Sequence, residues 1–76
     1  MVELVESIAK SLVDYPEQVT VTQSENNQVI VLELRVAPED MGKVIGKQGR
    51  IAKAIRVVVK AAATKINKKV VVEIAQ

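Results

Sequence analysis

The chain has 76 residues and is 49% hydrophobic, yet it holds neither Phe nor Trp and only one aromatic side chain, Tyr15, so its core must be built from Val, Ile, Leu and Ala. No Cys and no His excludes a disulfide framework, thiolate or imidazole metal ligands and an imidazole base, and the composition predicts no cofactor, no metal and no catalysis. The net charge of +2 hides a segregation: residues 1–40 carry −6, residues 41–72 hold nine Lys and Arg and no acid, and Glu73 makes up the difference.

In chain order, Val2, Val5, Ile8, Ala9, Leu12 and Val13 fall on one arc of a helix predicted over residues 2–14, ended by Tyr15 before Pro16. Val19-Thr20-Val21-Thr22 alternates in a strand from Gln18 to Ser24, and Glu25-Asn26-Asn27 reads as a turn. Residues 28–36 alternate again, with Ile30, Leu32, Leu34 and Val36 on one face and Val29, Val31, Glu33 and Arg35 on the other. Pro38, followed by Glu39 and Asp40, suits the first turn of a short helix ending at Gly46. A longer helix is expected over Arg50–Ile66, with Ile51, Ile55, Val58, Val59, Ala62 and Ile66 inward and Lys53, Arg56 and Lys60 outward. Val70-Val71-Val72-Glu73-Ile74 closes the chain as a strand with Val70, Val72 and Ile74 facing in. The order α-β-β-α-α-β predicts an α+β fold in one domain over residues 1–76, a three-stranded mixed sheet with its last two strands parallel through a right-handed crossover and its helices on one face.

The chemistry concentrates at Gly46-Lys47-Gln48-Gly49. A lone Gly-x-x-Gly is weak, since a chain of this length holds one by chance roughly a third of the time. Here it lies between two amphipathic helices inside the acid-free stretch. Gly46 is expected to take the left-handed conformation that stops the first helix, and Gly49 to open the next, whose N-terminal N–H groups favour an anion beside Lys47. A plain turn that needs two glycines is the competing reading, and for Lys60, Lys65, Lys68 and Lys69 it is a merely solvated basic face.

The stretch Val44-Ile45-Gly46-Lys47-Gln48-Gly49-Arg50-Ile51-Ala52-Lys53-Ala54-Ile55-Arg56 resembles the Ile-Gly-x-x-Gly signature of KH domains, and the element order is similar to their type II arrangement. End to end the chain resembles the small stand-alone bacterial KH proteins of the KhpA family. The resemblance implies a groove for about four unpaired nucleotides of single-stranded RNA. Gly46, Lys47, Gln48 and Gly49 would meet the sugar-phosphate backbone, with Arg50 and Lys53 beside them. Ile45, Ala52 and Ile55 would line or support the floor, and Val70 to Val72, Val71 among them, would offer backbone groups to base edges. The variable loop of such domains corresponds to Glu25-Asn26-Asn27. Ala52 departs from the branched aliphatic that many KH domains place there, which implies a shallower floor. The implied role is a post-transcriptional regulator or RNA chaperone.

A catalytic constellation is missing, as are the phosphate-binding patterns of nucleotide enzymes, and strands without aromatics exclude an RRM-type binder. Single-stranded DNA stays open as a ligand, because phosphate contacts do not distinguish it from RNA. The alternative function is a protein-interaction module using Val29, Val31 and Val71 of the outer sheet face. The resemblance adds self-pairing as a homodimer and pairing with a larger multidomain KH-containing partner, KhpB. The acidic segment Met1–Glu6 is unlike a signal peptide and no apolar run approaches a membrane span, which predicts a soluble, cytoplasmic protein without a membrane partner.

Overall fold

The computed structural model describes residues 1–46 and 49–75. Its elements are α1 (Val2–Leu12), a 3₁₀ turn (Pro16–Gln18), β1 (Thr20–Asn26), β2 (Val29–Arg35), α2 (Pro38–Ile45), α3 (Arg50–Ile66) and β3 (Lys69–Ala75). The sheet order is β1-β2-β3, with β1 antiparallel and β3 parallel to the central β2. The order and the mixed sheet are those expected from the alternating runs.

Because side chains alternate across a strand, the register sorts each face. The rows Val21–Leu34–Ile74, Gln23–Leu32–Val72 and Glu25–Ile30–Val70 share the inner face. Ile30, Leu32, Leu34 and Val72 are buried there, against Val5 and Ala9 of α1, Val44 of α2 and Ala52, Ile55 and Val59 of α3. The outer face carries Val29, Val31, Glu33 and Val71, all half-buried.

The end of α1 and the hairpin turn depart from the sequence pattern. Helix α1 stops at Leu12 rather than residue 14, and Val13 is extended at φ −108°, ψ 163°. The cause is Asp40, fully buried in the first turn of α2. Its carboxylate accepts the N–H of Asp14 and the N–H of Tyr15, each at 3.0 Å, which draws that backbone away from α1. Beside it Lys43 donates to Asp14 at 2.8 Å, and that hydrogen bond, with the charges of Asp14 and Asp40, holds the Lys43 ammonium above its ordinary pKa. The hairpin turn is also displaced: β1 runs on through Asn26, and the loop is Asn27-Gln28, both at positive φ (49° and 68°), as a two-residue hairpin requires. The segment Glu25-Asn26-Asn27 is therefore mostly strand.

Helix α3 keeps its expected bounds but presents a rotated face. The buried seam is Ala52, Ile55, Val59 and Ala63, while Ile51 and Val58 are only half-buried and Ile66 is 47% exposed. Alanines at both ends of the seam let α3 lie close to the sheet, which larger side chains would hold off. Lys53, Arg56 and Lys60, spaced i, i+3, i+7, share one flank of the helix, and the rotation brings Arg56 and Lys60 of that flank to the β3 side.

Candidate nucleic-acid interface

The site is built around the joint between α2 and α3. The Gly46 N–H bonds the Gly42 carbonyl at 2.7 Å, and the Gly49 N–H bonds the Gly46 carbonyl at 2.8 Å. Gly46 is extended (φ −79°, ψ −178°), contrary to the left-handed conformation expected of it; the left-handed glycine is Gly49, at φ 66°, ψ 35°. The left-handed residue thus stands on the α3 side of the loop. Gly46 is needed for a different reason, because a Cβ there would fall on the Gly42 carbonyl oxygen. Lys47 and Gln48, the two site residues between these glycines, lie outside the described residues.

Gly49 caps α3 without any side-chain hydrogen bond, and no acid stands in the first turn of that 17-residue helix. Among the described residues no carboxylate answers its positive end in the first turn, and the exposed Arg50 and Lys53 add charge there. Ile45 is 56% exposed at the end of α2, where it can touch a ligand. Ala52 and Ile55 are core residues, at 5% and 0% exposure, so they support a floor from beneath and offer it no surface of their own.

Further along α3 a cleft of about 860 Å³ opens between this helix and β3. Its apolar lining is Val59, Ala63 and Val70 to Val72, and its cations are Arg56, Lys60, Lys68 and Lys69. Val71 belongs to this cleft, as its place in the last strand suggested. Of the described site residues, Ile45, Gly46 and Gly49 do not line it. The row Lys53–Arg56–Lys60 runs from the loop end of α3 into the cleft, giving the helix one continuous positive flank between the two. Arg56, Lys60, Lys68 and Lys69 are cleft residues outside the expected site set; for the three lysines a merely solvated basic face is the competing reading. The signal that could have found them is the i, i+3, i+7 spacing, once the buried seam is set on Ala52 and Ala63.

Among the described residues there is no cluster of three metal-ligating side chains, and no helix is long and apolar enough to cross a membrane.

Comparison with known proteins gives a match to the family model "KhpA/KhpB, KH domain" over residues 2–74. A protein of Clostridium perfringens named RNA-binding protein KhpA is 74% identical over 74 residues, covering 97% of this chain and 99% of that one. Its namesake in Clostridium acetobutylicum is 70% identical with the same coverage. That of Aquifex aeolicus is 53% identical over 72 residues, covering 95% of this chain and 91% of its own. No solved structure gives a significant match.

Proposed function

We propose, from the premise that this chain belongs to the KhpA/KhpB KH-domain family, that it is an RNA-binding protein acting as a single KH domain on short single-stranded RNA. It is a binding module and not an enzyme. The observation that carries the reading is the basic cleft between α3 and β3, apolar at its floor and cationic at its rim, which continues the flank that starts at the Gly-x-x-Gly loop. A sugar-phosphate backbone would run along the cations, and bases would lie against the half-buried Val70 and the exposed backbone edge of β3. Without an aromatic to stack on, each base contact is weak, so affinity rests on phosphates. The names borne by the relatives support the same ligand. Activity in the cytoplasm as a post-transcriptional regulator or RNA chaperone follows from this reading.

A salt titration tests it. Neutralising three or four phosphates gives a fall of log K against log salt with a slope of roughly −2 to −3 for a single-stranded RNA. A slope near zero would remove the basic flank from the binding surface.

A second reading, compatible with the first, is pairing with another KH domain, in a homodimer or with a larger protein of KhpB type. The supporting observation is Val57, 68% exposed on α3 and the most exposed of the large hydrophobic residues. The outer-sheet valines are better covered than it is. Sedimentation at high protein concentration is expected to show a dimer that Val57→Lys returns to a monomer with an unchanged melt. A parent that is strictly monomeric under those conditions would remove the homodimer.

A further inference from the structure

Among the described residues, two ion pairs join the acidic first half of the chain to its basic second half. One is Lys43–Asp14, beside the start of α2. The other is Lys68–Glu25, in which the Lys68 Nζ meets Glu25 Oε2 at 2.7 Å across 43 residues of sequence. The second falls on the functional surface, because Lys68 lines the cleft between α3 and β3.

Glu25 reaches it from the hairpin. It stands on β1 opposite Ile30, which in turn pairs with Val70 on β3, so this row of the sheet ends at the mouth of the cleft. The carboxylate sits on the inner side of the sheet yet is exposed, beyond the cover of the helices. Of the four cations that line the cleft, Lys68 alone is ion-paired among the described residues. A paired ammonium presents almost no net field to an incoming polyanion.

We propose that Glu25 is a restraining carboxylate for the RNA site: it occupies Lys68 and withholds from the bound strand one of the four cations of the cleft. The inference rests on the reading of this cleft as the place where RNA lies. An exposed pair of this kind is held weakly, so a phosphate can compete for the lysine, but it must displace a carboxylate to do so. The restraint lowers affinity for any polyanion while leaving contacts to bases untouched. Phosphates still carry most of the affinity, but the bases weigh more in it than they would with Lys68 free, and the carboxylate acts as a specificity-determining residue.

The test is an anisotropy titration of a labelled oligouridine at several salt concentrations, on the parent, Glu25→Gln, Lys68→Met, the double variant and Glu17→Gln. Glu17 lies in the turn before β1, at the other end of that strand, more than about 15 Å away along it and beyond the screening length at physiological salt. It gives the same change in net charge without touching the cleft. Glu25→Gln is expected to tighten binding by about three- to ten-fold and to steepen the salt slope by about 0.7, the increment for one more phosphate on a single strand. The gain should vanish in the Lys68→Met background, and Glu17→Gln should change affinity by less than about two-fold. Unchanged or weaker binding by Glu25→Gln would overturn the proposal. So would an equal gain from Glu17→Gln, which would make the effect one of net charge, or a gain that persists without Lys68. A parent that bound no oligouridine would instead overturn the RNA reading itself, and the parent titration shows this separately from the variants.

Discussion

Asp40→Ala is expected to lower the melting temperature by more than about 10 °C, the largest stability effect of any single polar substitution in this chain. Asp40 is fully buried, and its two oxygens each accept a backbone N–H, from Asp14 and Tyr15. Those donors are part-buried at the point where α1 gives way to the 3₁₀ turn, and alanine would leave both without a partner. Losing such acceptors costs about 1–3 kcal/mol apiece, reduced where water can reach the donor, so a total of roughly 2–3 kcal/mol is expected. For a domain of this size each kcal/mol moves the midpoint by about 4–8 °C. Asp40→Asn keeps one acceptor but turns an amide donor toward the second N–H, and should fall between parent and alanine. Thermal melting by circular dichroism decides it. A midpoint for Asp40→Ala within a few degrees of the parent would mean that Asp40 does not fasten α1 to α2.

That fastening illustrates what sequence pattern can and cannot carry. Strand faces were legible because period-two alternation has a single solution once one face is buried: Ile30, Leu32, Leu34 and Val36 read inward and are inward. The span of α3 was legible from its composition and flanking glycine. Its face was not, since a helix rich in Val, Ile and Ala offers several apolar arcs, and packing chose the one with the smallest residues, Ala52 and Ala63. Asp40 read as an acid favoured by a helix N-terminus, and its partners lie 25 and 26 residues away, beyond any local rule.

The loop shows the same division. Two glycines flanked by helices announced a turn, but which of them takes positive φ depends on how α3 leaves the loop. The close approach of Gly46 to the Gly42 carbonyl reserved that role for Gly49. The cleft between α3 and β3 was half-legible. Val71 was placed in it through family resemblance, whereas Arg56, Lys60, Lys68 and Lys69 needed the rotation of α3 and the crossover to β3 to come together.

The central claim is that RNA is held at the Gly-x-x-Gly loop and along the basic flank that continues from it. The double substitution Lys47→Asp with Gln48→Asp tests this most directly. Both positions stand between glycines in the connection from α2 to α3, where side chains of a surface loop contribute little to the core, and the melt should move by well under about 1 kcal/mol in stability. Two carboxylates would replace a cation at the uncapped positive end of α3, where a phosphate is expected, and like-charge juxtaposition costs several kcal/mol. A complex that lacks aromatic stacking has little affinity to lose. The measurement is an anisotropy titration of single-stranded RNA on parent and variant, with circular dichroism establishing that both are folded. The account predicts a folded variant with no detectable binding; a folded variant that binds as tightly as the parent would contradict it.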